Sequence, residues 1–155
     1  MKVTLLTVGK TDIPWVKAGL EMYASRLGHY LKFSLAEIPE LKGVASLSED
    51  QIKEKEGDLI LKAAGQADLV LLDERGEQLR SVEFAAGLQK RLNRGRDLTF
   101  VVGGAYGFSK AVYDRAAGMV SLSKMTFSHQ IVRAIFAEQL YRACTIIKGE
   151  PYHHE

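Results

Sequence analysis

Five short apolar runs punctuate the chain, at residues 3–8, 33–38, 69–72, 98–102 and 119–122, and none alternates strictly between apolar and polar side chains. Such runs read as strands buried on both faces, the mark of a parallel sheet covered by helices. Helical patterns fall between them. Val16, Leu20, Tyr23 and Leu27 recur at i, i+4, i+7 and i+11, with Pro14 suited to the first turn. Ser48 and Gln51 form a capping box ahead of Ile52, Leu59, Ile60 and Ala63, Ser81 is placed to cap a helix carrying Ala85, Leu88 and Leu92, and Ser109 to cap a shorter one. The last helix is expected from Ser128 to about Lys148, with Val132, Ile135, Phe136, Leu140, Ala143 and Ile147 on its apolar face and Gly149 and Pro151 stopping it. Strands alternating with helices predict an α/β fold, a mostly parallel sheet with flanking helices, formed by one domain over residues 1–155. Residues 40–48 read as a surface loop inside that domain.

A chain of 155 residues is long enough for one core that buries roughly two thirds of the unfolded surface. Its 46% hydrophobic and 26% charged content excludes a disordered or collagenous protein. The single cysteine, Cys144, rules out an internal disulfide framework and sits in an apolar helical pattern as a small buried residue. The opening MKVTLLTVGKTD has too short an apolar run for a leader and no A-x-A-like site, so it reads as a first strand. No run approaches the ~20 residues of a membrane span, and a cytoplasmic protein is expected. A net charge of +2 permits an RNA partner without requiring one.

The stretch FVVGGAYGF, residues 100–108, runs a strand into Gly103, Gly104 and Gly107. Glycines there allow positive φ and close backbone approach, as one wall of a small-molecule site. Nucleotide motifs fail on spacing. G-G-x-x-G is not the dinucleotide fingerprint, and Gly9-Lys10-Thr11 would complete a P-loop only if Thr4 were glycine. Ligands of open α/β sheets gather beyond the carboxyl ends of the strands, so the loops 73–76, 103–108 and 123–128 are expected to converge. The third delivers His129 to the start of the last helix, and the tail GEPYHHE adds Tyr152, His153 and His154 behind it.

Plainer readings stand beside these. A lone histidine in a first helical turn is more often a surface group than a catalyst. Arg142 follows Glu138 by four residues, an ion pair worth ~0.3 to 0.5 kcal/mol if exposed. Arg133 and Arg142 lie nine residues apart, on opposite faces of a helix. Adjacent His153 and His154, with only His29 and His129 besides, lack the spacing of a ligand set, so no metal is expected. Lys10, Lys17, Arg26, Lys42, Arg94 and Arg96 are scattered as on an ordinary solvated surface.

The segments VVGGAYG (101–107), SLSKMTFSH (121–129), EQLYRA (138–143) and PYH (151–153), with the early VGK, KEKEG and LDERG, closely resemble the bacterial large-subunit ribosomal RNA pseudouridine N3-methyltransferase family of the SPOUT superfamily. The likeness runs in order over essentially the whole chain. It implies a C-terminal deep trefoil knot holding S-adenosyl-L-methionine, and a homodimer whose sites borrow residues from the partner. The implied reaction methylates N3 of a pseudouridine in a stem-loop of 23S rRNA at the subunit interface. Carried over by position, the cofactor site comprises Leu72, Gly103, Gly104, Leu122, Ser123, Lys124, Met125, Thr126 and Phe127. Methyl transfer needs an aligned nucleophile and loss of one proton. His153, with Tyr152 or His129, is expected to ease deprotonation of N3, and Arg142 to orient the base or stabilise its anion. So small a chain leaves little surface for a separate RNA-binding domain, so the assembled 70S ribosome is the expected substrate. The rival reading is a non-catalytic ribosome-binding module on a flavodoxin-like sheet.

Overall fold

In the computed structural model, which describes residues 1–154, five strands form one fully parallel sheet in the order β2-β1-β4-β3-β5. The strands are β1 (Val3–Val8), β2 (Phe33–Ile38), β3 (Asp68–Gln78), β4 (Leu98–Val102) and β5 (Gly118–Ser121). The helices are α1 (Pro14–Leu27), α2 (Glu49–Ala64), α3 (Ser81–Asn93), α4 (Lys110–Arg115) and α5 (Ile131–Lys148), with one 3₁₀ turn at Val44–Ser46 inside the loop before α2. The α/β expectation therefore holds.

Strand side chains divide by parity between two helix layers. Val3, Leu5, Val70, Leu98, Phe100 and Val102 face Leu20 and Leu27 of α1, Phe84 and Leu88 of α3, and Phe136 and Leu140 of α5. Leu6, Val8, Leu69, Leu71 and Val101 face Ile60 and Ala64 of α2, Val112 of α4, and Phe108. This double burial is why those strands lack alternation. Cys144 is buried in the first layer, and burial pushes its thiol up to about 12, as expected of an inert core residue. Among the described residues no helix is long and apolar enough to cross a membrane.

Local signals succeed where the chain satisfies itself and fail where distant segments compete. The Ser48–Gln51 capping box and the Ser109 cap both form. Arg80, not Ser81, occupies the N-cap of α3, and its N–H donates to the Glu83 carboxylate. Ser81 is diverted, because its hydroxyl donates to Gln139 of α5 at 2.7 Å. Helix α5 begins at Ile131 rather than Ser128, with Ser128 Oγ accepting from the Ile131 N–H. Gln130, at the N-cap of α5, is tied by its side chain to the segment after β1: its amide donates to the Lys10 carbonyl, and its side-chain oxygen accepts from the Asp12 N–H.

Beside that junction lies the largest fully buried side chain, Arg133, with no exposed surface. Its Nη2 donates to the Val8 carbonyl, its Nη1 to the Gly9 carbonyl and Thr11 Oγ1, and its Nε to the His129 carbonyl. Burial works against the charge, while the carboxylates of Glu37, Asp12 and Glu40 oppose that effect. The Gly9-Lys10-Thr11 sequence that imitates a phosphate loop is thus an acceptor loop for an arginine. Arg133→Ala would leave several buried acceptors without donors and should lower unfolding free energy by at least about 3 kcal/mol in a urea titration. A loss below about 1 kcal/mol would show the clasp to be dispensable.

Candidate functional site

Adjacent strands β4, β3 and β5 end on the same side of the sheet, and there the chain forms an open cavity of about 370 Å³. All nine residues expected to hold a cofactor line it: Leu72, Gly103, Gly104 and the run from Leu122 to Phe127. His129 lines it as well. The three loops therefore converge, although the first is not a loop in the simple sense. Strand β3 does not end at Leu72. It bulges out over residues 73–76 and resumes, so that Leu72 and Glu77 both register with Val120 of β5. Strand β5 conversely stops at Ser121, which leaves Leu122 in the connecting loop.

The glycines serve different ends. Only Gly107 of the three in the 103–107 loop takes a positive φ, 84°. A Cβ on Gly103 would lie 2.9 Å from the Phe108 ring, and one on Gly104 2.6 Å from the Glu56 carboxylate, so side chains rather than passing backbone fill that space. The close passage of main chain occurs at Gly76, where a Cβ would meet backbone atoms of Val120 at 2.6 Å. The KEKEG sequence has a matching explanation. Glu56 abuts Gly104, and Gly57 admits the Ser109 hydroxyl that caps α4.

One polar group of the wall was not singled out by sequence reasoning. The Tyr113 hydroxyl donates to the Asp73 carboxylate, whose other oxygen accepts from the Arg75 N–H, and the Arg75 guanidinium lies 5.4 Å from the Tyr113 ring centre. Burial, then the Asp73 bond, push the Tyr113 hydroxyl up to about 12, so it remains a donor at neutral pH. The only signal was an acidic residue directly after an apolar strand. Across the cavity, Ser121 Oγ donates to the Ser123 carbonyl, and the Met125 N–H donates to Ser123 Oγ, which sets the turn. Tyr106, Met125 and Phe127 are exposed at the rim, an apolar surface of the kind that marks a binding site.

Arg142, Tyr152 and His153 do not line this cavity. They gather eleven residues and more beyond Ile131, about 17 Å along the α5 axis. There Arg142 Nε and Nη2 donate to Glu138 Oε1 at 3.0 and 2.6 Å, the Tyr152 hydroxyl donates to the same oxygen at 3.1 Å, and Arg142 Nη1 lies 3.1 Å from His153 Nδ1. The Tyr152 ring covers the guanidinium at 4.7 Å. The Glu138 bond holds Arg142 more firmly protonated than usual, and burial followed by bonds to Tyr23 and Glu138 raises Tyr152. Tyr141 packs edge-on against Tyr152 and Tyr30, and the Tyr30 hydroxyl donates to Glu150, which fastens the tail to the end of α1. The pair Glu138–Arg142 is thus real and partly buried, and it belongs to a network. Among the described residues no three His, Cys, Asp or Glu side chains converge for a metal.

Comparison with known proteins identifies the family. A family model described as "Predicted SPOUT methyltransferase" matches residues 1–153. A protein of Parabacteroides distasonis named Ribosomal RNA large subunit methyltransferase H is 53% identical over the full length of both chains. A protein of the same name from Christiangramia forsetii is 53% identical over 99% of each. A solved structure from Neisseria gonorrhoeae, described as a methylase family protein, covers 99% of this chain and 85% of its own with a TM-score of 0.52 and 12% identity, a likeness of fold alone.

The contact at Gly76 is with rigid backbone. Gly76→Ala should therefore destabilise the chain by about 1 to 3 kcal/mol in urea unfolding, the usual range for overpacking. Gly87→Ala, in α3 with open space around the added methyl, should be neutral or stabilising. Equal effects of the two would refute the close passage.

Proposed function

The chain belongs to the SPOUT methyltransferase family, and from that premise we propose that it methylates N3 of a pseudouridine in 23S rRNA, as a cytoplasmic homodimer acting on the assembled 70S ribosome. The reaction class is S-adenosylmethionine-dependent methylation of large-subunit ribosomal RNA. One observation carries the reading: nine residues scattered from Leu72 to Phe127 meet around one cavity at the carboxyl ends of three adjacent strands. Its volume, about 370 Å³, falls in the range of roughly 300 to 1,000 Å³ typical of cofactor sites. The main chain at Gly103 and Gly104 and the apolar side chains of Leu72 and Leu122 all line this cavity, a mixture that suits a flat base and an apolar chain.

Bound there, S-adenosylmethionine supplies a methyl group activated by its sulfonium. The work left to the protein is to seat the uracil ring in line with that methyl group and to ease loss of the N3 proton. We assign this to Arg142, Tyr152 and His153, with His129 at the cavity. A guanidinium beside the ring stabilises the negative charge that spreads over the imide oxygens as the proton leaves. Within one chain His129 lines the cavity and the other three do not, so the assignment requires a second copy. Trp15 and Met22, exposed seven residues apart on α1, which packs on α5, supply the apolar contact that such a dimer needs. The knot belongs to the same proposal. It is supported by α5 returning from edge strand β5 to pack on both α3 and α1, and by Gly76 pressed against the backbone of β5.

The direct test is transfer of labelled methyl to ribosomes that lack the modification, followed by mapping of the nucleotide. The expected product is N3-methylated pseudouridine, with intact 70S particles far better substrates than naked rRNA. No binding of S-adenosylmethionine by calorimetry at high micromolar concentration would remove the reading. For the dimer, Leu122→Arg in the cavity and Arg142→Ala should each abolish transfer. Their equal mixture after subunit exchange should recover about a quarter of wild-type activity, because half the dimers then hold one intact composite site of two.

A further inference from the structure

The histidine of the tail has an unusual hydrogen-bonding state. Arginine donates and never accepts, so the contact between Arg142 Nη1 and His153 Nδ1 requires Nδ1 to be the acceptor. An imidazole that accepts at Nδ1 is neutral and carries its hydrogen on Nε2. That nitrogen is buried and has no hydrogen-bond partner among the described residues. His153 therefore has one lone pair, already spent on Arg142, and one N–H. The lone pair that a proton-abstracting base must offer is not free.

Arg142 in turn is gripped from three directions. Two of its N–H groups donate to Glu138 Oε1, one donates to His153, and its Cζ lies over the Tyr152 ring, 4.7 Å from the ring centre. Glu138 is itself fixed, since Oε1 also accepts from the Tyr152 hydroxyl and Oε2 from the Gln139 amide at 2.9 Å. Arg142 and Glu138 keep only 23% and 19% of their side-chain surface, so the pair is shielded as a surface pair is not. Of five guanidinium N–H bonds two remain, enough to meet one flat anionic edge.

On the footing of the methyl transfer proposed above, we infer that His153 is an acceptor that aims Arg142 and not the base that takes the N3 proton, and that Glu138 is the positioning residue on which the arrangement hangs. In the transfer, N3 gains the methyl carbon as the bond from that carbon to sulfur breaks, the sulfonium becomes a neutral thioether, and the N3 proton passes to solvent water. Arg142 faces the imide while that happens. Glu138 touches neither cofactor nor substrate. It acts through Arg142 and Tyr152.

Nitrogen-15 spectra of the histidine side chains test the first claim on the whole protein without substrate. His153 should be the neutral Nε2–H tautomer at neutral pH, and Arg142→Ala should abolish that preference. Kinetics on ribosomes test the second. His153→Asn keeps an oxygen acceptor near the place of Nδ1 and should hold kcat within about threefold with an unchanged pH profile, whereas His153→Ala should lose about tenfold or more. Glu138→Gln should lower kcat by about tenfold or more with S-adenosylmethionine affinity within about twofold. A proton on Nδ1, or His153→Asn as slow as His153→Ala with the rise of rate with pH gone, would overturn the inference and make His153 the base. Wild-type kcat in Glu138→Gln would overturn the role of Glu138. Failure of the wild-type chain to methylate ribosomes would strike the proposed function instead, and the tautomer would still be read.

Discussion

The buried guanidinium of Arg133 is the interaction on which the rest of the site depends. An arginine without exposed surface is tolerable only if its donors are met, and here they are met by the carbonyls of Val8 and Gly9 at the end of β1, by Thr11, and by the carbonyl of His129. Those partners belong to segments more than a hundred residues apart. The clasp, with Gln130 bonded to Lys10 and Asp12 beside it, fixes where α5 begins. It thereby fixes the loop from Leu122 to Phe127 that closes one side of the cavity.

A second constraint is the crowding between β3 and β5. The bulge over residues 73–76 lets β3 pair with β5 twice, before and after the excursion, and it places Asp73 where Tyr113 can reach it. Only a residue without Cβ fits at Gly76, because the opposing atoms are backbone and cannot move aside. The wall of the cavity is thus made from sheet geometry, and its polar groups are carried on that geometry. At the other end of α5, the Glu138 network ties helix and tail together through Arg142, Tyr152 and His153, and Tyr30 holds Glu150 from the turn that follows α1.

Much of this was legible in the residues. The five apolar runs, the capping residues of α2 and α4, the Gly149 stop and the inert Cys144 depend on local chemistry or on burial, and they came out as expected. Departures occurred where distant segments offered a partner. Ser81 gave up its cap for Gln139, α5 begins three residues late, at Ile131, where Gln130 bonds Lys10 and Asp12, and residues 73–76 bulge from a strand that β5 pairs on both sides. Arg133 and Arg142 looked alike as helix arginines, yet one is sealed in the core and the other is stacked under a tyrosine. Periodicity separates their faces without saying what covers each.

Sequence by itself determined the alternation of strand and helix, the double burial of the central strands, and the three loops that converge, since these follow from hydrophobic period and from the rule that ligands gather at strand carboxyl ends. The family, too, was readable from its motifs. Tertiary structure alone decided that Arg142, Tyr152 and His153 form a cluster apart from the cavity that the nine expected residues line, and that His153 accepts from Arg142 at Nδ1. The reason is that hydrogen-bond partners and shared faces are fixed by distances between residues far apart in the chain, which no local pattern encodes.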